Sequence, residues 1–266
     1  MFLVDPYRFG VPWTPSRITT ALWLDAADAS TVTTVSGAVS QWNDKSGNGR
    51  HATQSTAANR PTYPATTLNN ISTIEFDGTN DVLTATLSSG LGSSFGVFAV
   101  VVPLRYQTIE GYVVSEVASY SNYWFTLGRG GTYLGQKMGI AMFDGTNNPD
   151  SLKTTLPTLG LGYVMAGIRD TTTGSRKLYY YENGEIYGDV TDSTSLTPPS
   201  YSDLRIGGQV NVANRYGNVR IGEVVIVPSL PSADTRQRIE GYLAHKWGLT
   251  ANLPSNHPYK SAAPTV

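Results

Sequence analysis

Short segments with alternating apolar and polar positions run through the chain from Ala21 onward, and turn-forming residues separate them. The segments are rich in β-branched and aromatic residues, so about a dozen of them predict β-strands. Phe95–Val102 is almost entirely apolar, which is typical of a central strand covered on both faces. Lys177–Glu182 and Glu185–Tyr187 flank the pair Asn183-Gly184, which favours a type I′ hairpin turn.

A helical period occurs once, near the end of the chain. Ser232 is a favoured N-cap residue, and the pattern predicts a helix over about residues 233–247. Apolar side chains then recur at steps of three and four residues, which places them on one stripe of the helix. These residues are Ile239, Tyr242, Leu243 and Trp247. We expect the helix to close the fold by packing against a sheet edge or the loops beside the last strand.

The strand-rich pattern with one late helix predicts an all-β fold, a two-sheet antiparallel sandwich with one C-terminal helix. We assign residues 20–249 to the sandwich, residues 1–19 to an extended N-terminal arm and residues 250–266 to an extended tail. Trp42, at the end of a predicted strand, is expected to have a structural role.

The arm contains the aromatic residues Tyr7, Phe9 and Trp13, which are too apolar for a fully solvated segment. Either the arm lies along its own domain or it docks on a partner protein. In the second case these three residues are the candidate anchors.

Composition narrows the classes of function. The chain has 266 residues, no cysteine, a formal net charge of -1 and 15% charged residues. Disulfides and thiolate metal sites are therefore excluded, and a nucleic-acid partner bound through a basic surface is not expected. No apolar run approaches the roughly 18 residues of a membrane span, so no membrane insertion is expected. The N-terminus lacks the basic and apolar regions of a secretory signal.

An ordered set of short motifs carries a family resemblance. They are Ala21–Ala26, Val39–Ala52, Ile74–Asp81, Tyr181–Gly184, Arg205–Gly208 and Ile221–Val224. In this order they resemble the concanavalin A-like lectin/glucanase sandwich, in its laminin-G-like branch. The resemblance implies a jelly roll of two antiparallel sheets, a scaffold often used to bind glycans or to decorate a surface.

The C-terminal segment Ile239–Leu249, with His257-Pro258-Tyr259, is similar to the end of laminin-G-like proteins encoded by tailed bacteriophages. This resemblance implies a non-enzymatic virion structural protein, either capsid-decorating or tail-associated, assembled in the host cytoplasm. Its expected partners are other virion proteins, with host-surface polysaccharide and further copies of the chain as additional candidates. The alternatives are a carbohydrate-binding adhesion module and, third, a glycoside hydrolase.

A hydrolase of this fold needs two carboxylates on one face of a strand. Glu75 and Asp77 are the best local candidates, but Gly78 turns the chain where a third acidic residue would follow. The favoured interpretation is structural: Asp77 caps an Asp-Gly turn. We therefore predict no catalytic residue and no enzyme activity.

Calcium is the one candidate cofactor that the sequence indicates. The start of a calcium-binding loop is matched by the segment Asp44-Lys45-Ser46-Gly47-Asn48-Gly49. Asp44 and Asn48 are therefore candidate ligands. Ser55 occupies the position where the bidentate Glu of such a loop is expected. A hydrogen-bonded turn is the favoured role of both residues, and no cofactor is otherwise expected.

Sugar binding requires aromatic rings beside planar polar groups, since pyranose C–H faces pack on rings while hydroxyls take hydrogen bonds. Loops and strand ends that combine these residue types supply the candidate glycan-binding residues. These are Asn122, Trp124, Arg129, Tyr133 and Tyr216. Tyrosines that cover sheet edges or subunit contacts are the structural alternative.

Overall fold

The computed structural model describes residues 10–64, 67–87, 91–105, 111–119, 123–129, 137–172, 174, 176–195, 202–208 and 215–266. It leaves out the side chains of residues 111, 112, 116–119, 123, 124, 129 and 202 within this range. Tyr7, Phe9, Asn122 and Tyr133 lie outside the described residues.

The described residues form sixteen strands. They are β1 Leu22–Asp25, β2 Val32–Val35, β3 Ala38–Trp42, β4 Ala52–Thr53, β5 Ile74–Asp77, β6 Leu83–Leu87, β7 Phe95–Pro103, β8 Gly111–Ser119, β9 Tyr123–Arg129, β10 Met138–Phe143, β11 Asp150–Leu152, β12 Tyr163–Asp170, β13 Lys177–Glu182, β14 Glu185–Thr191, β15 Ser202–Ile206 and β16 Asn218–Val227. The α-helix α1 spans Ala233–Lys246, and short 3-10 helices occur at Pro15–Arg17, Ala29–Thr31, Ala57–Asn59 and Thr250–Asn252.

The strands pair into two antiparallel sheets, which confirms the predicted all-β sandwich. The seven-stranded sheet has the order β1-β16-β7-β12-β13-β14, with β5 also paired to β16. The nine-stranded sheet has the order β11-β10-β9-β8-β15-β6-β4-β3-β2. The predicted hairpin is present as β13 and β14, and Asn183 and Gly184 take the positive φ angles, 52° and 81°, that a type I′ turn requires.

The main core lies between the two sheets. Alternate residues of the facing strands point into it, because successive side chains of a strand lie on opposite faces. Phe95 of the seven-stranded sheet and Phe125 of the nine-stranded sheet meet there with ring centroids 4.9 Å apart. Trp42 is fully buried in the same core, as its predicted structural role requires.

A second hydrophobic core lies between the outer face of the seven-stranded sheet and α1. Ser232 caps the helix by accepting a hydrogen bond from the Thr235 N–H. Ile239, Leu243 and Trp247 are fully buried and contact the sheet residues Phe98, Val100, Val164 and Val225 among others. We expected α1 to pack against a sheet edge or the loops beside the last strand. This expectation is wrong, because the helix packs on the outer face of the seven-stranded sheet. Among the described residues, no helix is long and apolar enough to cross a membrane.

The described part of the arm packs on its own domain. Trp13 is 5% exposed, belongs to the second core and meets Tyr242 edge to face. Pro12 pairs with Thr265, so the arm and the tail lie side by side. The arm and the tail each include a 3-10 turn in addition to extended backbone. Trp13 is thus a core residue, and Tyr7 and Phe9 remain as anchoring candidates outside the described residues.

Candidate functional site

A row of polar side chains crosses the outer face of the nine-stranded sheet. Strand register pairs Thr33 with Gln41, Gln41 with Thr53, Thr53 with Thr84, and Thr84 with Arg205. The flanking residues of β6 and β15 are apolar and point to the main core, so alternation places Thr84 and Arg205 on the opposite face. Five residues from distant parts of the chain thus form one continuous line.

A β-bulge widens this line at one end. The register between β2 and β3 shifts after Thr33, so Ser40 is the extra residue of the bulge and is not paired with a residue of β2. Bulges re-aim side chains, and here the consecutive residues Ser40 and Gln41 both line the same depression. The Ser40 hydroxyl donates to the Thr33 carbonyl at 3.2 Å, and its own carbonyl accepts from the Gln54 N–H at 2.9 Å. The bulge is therefore hydrogen-bonded on both sides.

The five residues of the row all line a cleft with a volume of about 710 Å³. This volume lies in the range of small-ligand sites. The walls add planar polar groups and one aromatic ring. They include Gln54, Asn59, Arg60 and Tyr216.

Hydrogen bonds hold the wall that Gln54 and Arg60 form. The Gln54 side chain donates from Nε2 to the Val82 carbonyl at 2.8 Å and accepts from the Thr56 N–H at 3.0 Å. Arg60 donates from Nε to the Gln54 carbonyl at 2.8 Å and from Nη2 to the Ser55 carbonyl at 2.9 Å. The amide and the guanidinium are consequently fixed before any ligand arrives.

The described residues that line the cleft include two arginines and no carboxylate. Arg205 donates to the Thr84 hydroxyl and forms an ion pair with Asp203 at 3.3 Å. Asp203 also accepts a hydrogen bond from the Thr86 hydroxyl. Burial lowers the pKa of Arg205, and Asp203 opposes that shift. Arg60 has no acidic partner among the described residues. Arg60 therefore brings to the cleft lining a guanidinium that has no ion-pair partner in the described part of the chain.

A buried carboxyl group lies just behind the cleft. Asp81, which precedes the cleft residue Val82, is 6% exposed and accepts from the Asp77 N–H at 3.0 Å. Burial raises the pKa of Asp81 to about 6, and the nearby charges of Asp77 and Glu75 add to the shift.

The hydrolase candidates Glu75 and Asp77 lie on β5, at the seven-stranded sheet, and neither lines the cleft. Glu75 pairs with Arg220 of β16 at 2.7 Å. Asp77 accepts from the Thr79 and Asn80 N–H groups at 2.7 and 3.3 Å, and Gly78 has a φ of 74°. Asp77 therefore caps the Asp-Gly turn, as the favoured interpretation of the sequence has it.

The predicted glycan-binding residues divide into three groups. Tyr216 lines the cleft. Trp124 and Arg129 lie on β9 of the same sheet, where their backbones pair with Phe143 and Met138, but their side chains are outside the described part. Asn122 and Tyr133 are not described at all, so their predicted role stays a prediction.

Sequence reasoning missed most of the cleft. Gln41, Gln54, Arg60, Thr84 and Arg205 come from four separate segments, and only the strand register brings them together. The alternation Leu83-Thr84-Ala85-Thr86-Leu87 is the local pattern that could have indicated a polar face on this sheet.

The calcium candidates form a hydrogen-bonded turn. Asp44 accepts from the backbone N–H groups of Trp23, Ser46 and Arg50 at 2.9–3.1 Å. Asn48 donates from Nδ2 to the Thr20 carbonyl at 2.8 Å. No group of three or more His, Asp or Glu side chains that could hold a metal ion is found in the described ranges.

On the opposite side of the molecule, a buried charge cluster lies beneath α1. The Glu223 carboxylate, fully buried, accepts four hydrogen bonds: from the indoles of Trp23 (2.7 Å) and Trp247 (2.8 Å), the Tyr242 hydroxyl (2.9 Å) and Lys246 (2.7 Å). Burial raises the pKa of Glu223, and Lys246 opposes the shift. Burial and the Glu223 charge raise the pKa of Tyr242, so its hydroxyl stays protonated as a donor.

Lys246 also contacts Asp25 at 2.6 Å, and Asp25 in turn pairs with Lys45 at 2.9 Å. Every one of these side chains has its partners within the fold. The cluster therefore fastens α1 to the sheet and leaves no group directed at a ligand.

Solved structures of sandwich-containing proteins are similar to this chain. The Trypanosoma rangeli sialidase in complex with sialic acid matches with a TM-score of 0.58 at 14% identity, over 90% of this chain and 36% of the sialidase. The receptor-binding domain of botulinum neurotoxin type G matches with a TM-score of 0.56 at 13% identity, over 87% of this chain and 51% of that domain.

Domain 4 of AbnA, an extracellular GH43 arabinanase from Geobacillus stearothermophilus, in complex with arabinotriose, matches with a TM-score of 0.51 at 14% identity. The match covers 82% of this chain and 96% of that domain. This chain thus spans about half of the toxin domain and about a third of the sialidase, but nearly all of the arabinanase domain. At these identities the likeness shows the fold, a β-sandwich. No protein-family model and no curated protein matches the sequence.

Proposed function

We propose that this chain is a non-catalytic, glycan-binding β-sandwich module and that the cleft on the nine-stranded sheet is its binding surface. One observation carries the proposal: fixed amide, guanidinium and hydroxyl groups and the Tyr216 ring converge on one cleft of about 710 Å³. Planar polar groups match sugar hydroxyls, and a tyrosine ring can pack on a sugar face.

The fixed geometry of the cleft favours a binding role. Gln54 and Arg60 are immobilised by their own hydrogen bonds, so a ligand does not have to order them. Two of the structurally similar proteins were solved with sugars, arabinotriose and sialic acid. Because those matches are distant, they support the fold alone, and the residues of the cleft support the binding role.

The proposal that the module is not an enzyme rests on where the carboxylates lie. Glycoside hydrolysis requires an acid and a second carboxylate beside the scissile bond. The described cleft lining includes none. Glu75 pairs with Arg220 of the seven-stranded sheet, and Asp77 is bonded within its own turn.

The setting that the C-terminal resemblance implies is the particle of a tailed bacteriophage, with host-surface polysaccharide as the ligand. In that setting residues 2–9, with Tyr7 and Phe9, anchor the module to other virion proteins. Because Trp13 belongs to the second core, the deletion that tests anchoring should stop before residue 10. Unchanged incorporation of the deleted protein into particles would contradict the anchoring role.

The binding proposal is tested on an array of bacterial capsular and lipopolysaccharide glycans, with purified protein and without particles. Saturable binding that Gln41→Ala weakens supports it, since Gln41 lies in the middle of the row. Ser30→Ala, at an exposed site outside the cleft, is the control. An array without binding at high protein concentration would contradict a glycan-binding function.

A further inference from the structure

The charge of the cleft narrows the class of glycan. Arg60 and Arg205 both line it, and the described lining residues include no Asp or Glu. Asp203 partly neutralises Arg205, whereas the Arg60 guanidinium has no carboxylate partner among the described residues. A partly desolvated, uncompensated cation favours an anionic group over a hydroxyl.

Arg60 is also held in position for such a contact. Nε and Nη2 donate to the Gln54 and Ser55 carbonyls, while Nη1 makes no hydrogen bond within the described part of the chain. The two carbonyl contacts fix the plane of the guanidinium, so little side-chain entropy is lost when Nη1 binds a ligand. Arg205 is fixed in the same way by Thr84 and Asp203.

We propose that the cleft recognises acidic glycans, those with a carboxylate on a uronic or sialic acid unit, and that Arg60 is the residue that selects for the charge. This inference rests on the proposed glycan-binding function. The carboxylate of the glycan meets Arg60, and the neutral part of the glycan occupies the rest of the cleft, which Tyr216 also lines.

The test uses acidic glycans from bacterial capsules, each printed beside its carboxyl-reduced form, which keeps the linkages and removes the charge. The wild type is expected to bind the acidic forms about tenfold or more tightly than the reduced forms, because a charge-assisted hydrogen bond exceeds a neutral one. The preference should decrease as salt rises, because salt screens exposed charges.

Arg60→Gln is expected to lower binding of the acidic forms about tenfold and to leave the reduced forms within about twofold. Arg60→Lys, which keeps the charge, should retain part of the preference. Arg17→Gln, the same charge change at an exposed site outside the cleft, is the matched control and should bind as the wild type does. Urea unfolding of each variant verifies that it is folded.

The outcomes separate the two proposals. Equal binding of acidic and reduced forms by the wild type would overturn the acidic-glycan inference and leave glycan binding in place. An equal loss of both forms in Arg60→Gln would overturn the role of Arg60 in selecting the charge and make it a clamp of its loop. Binding of neither form would overturn the proposed function and this inference with it. A preference that Arg60→Gln abolishes supports both.

Discussion

The outer faces of the two sheets use polar side chains in opposite ways. Between α1 and the seven-stranded sheet, Glu223 and Asp25 of the sheet and Lys246 of the helix are buried or partly buried and bonded to one another or to indole and phenol donors. On the nine-stranded sheet, Gln41 and Arg60 line an open cleft. The side chains of the first group satisfy one another, whereas in the second Nη1 of Arg60 has no hydrogen-bond partner among the described residues.

The difference explains why a charged cluster need not be a functional site. A buried carboxylate with four donors has no capacity left for a ligand, whereas a fixed guanidinium at the surface does. Substitutions on the covered face should therefore change stability, and substitutions on the open face should change binding.

The largest effect is expected from Glu223→Ala. Removing the carboxylate leaves the Trp23 and Trp247 indoles without their acceptor in the second core, which should lower the free energy of unfolding by about 3–5 kcal/mol. Urea unfolding measures the change, and Glu185→Ala at an exposed site is the control. A loss below about 1 kcal/mol would contradict the role of the cluster as the fastening of α1.

Asp81→Asn tests whether the carboxyl group behind the cleft is buried in the folded protein. The folded pKa of Asp81, about 6, lies above its ordinary value of 3.8, so the native state binds the proton more tightly. Its contribution to stability is therefore complete below about pH 4 and is lost as pH rises through 6, by roughly 2–3 kcal/mol.

Unfolding of the wild type and Asp81→Asn in urea from pH 4 to pH 7 measures this contribution as the change in the difference between the two proteins. Asp189→Asn, at an exposed site on β14, is the control. A difference that stays constant with pH would mean that Asp81 is not buried in the folded protein.

Gly222→Ala tests how closely Trp247 packs on the covered face. A Cβ at residue 222 would lie 2.7 Å from the Trp247 ring, so the substitution should cost about 1–3 kcal/mol through overpacking. Gly174→Ala, where a Cβ meets no atom of the described residues within 4 Å, is the matched control. In a Trp247→Leu background the cost of Gly222→Ala should shrink, and equal costs in both backgrounds would show that the ring is not the cause.

Local patterns in the sequence predicted the covered face better than the open one. Three features there depend only on residues that are near one another in the chain. They are the Ser232 cap, the buried stripe of Ile239, Leu243 and Trp247, and the Asn183-Gly184 turn. Even there, the sequence could not show that Glu223 lies opposite Asp25, because that pairing depends on the register of β1 with β16.

The open face depends on long-range register throughout. Thr33 and Arg205 share a row although 172 positions separate them along the chain. The strand β2 and its turn at Ser36 and Gly37, with φ of 53° and 81°, were not predicted, because Ser-Gly is a weaker turn pattern than Asn-Gly. Of the described cleft residues, Tyr216 alone was predicted from the sequence as a glycan-binding residue, because it is aromatic.

The contrast between the two faces is tested most directly by glycan binding of two tyrosine variants. Tyr216→Ala removes the ring that lines the cleft, and Tyr187→Ala removes an exposed ring on β14 of the other sheet. Calorimetry with a glycan that the array identifies should show about fivefold weaker binding for Tyr216→Ala, because a packed ring contributes about 1 kcal/mol. Tyr216→Phe and Tyr187→Ala should bind as the wild type does. Unchanged affinity in Tyr216→Ala, or an equal loss in Tyr187→Ala, would contradict the assignment of binding to the nine-stranded sheet.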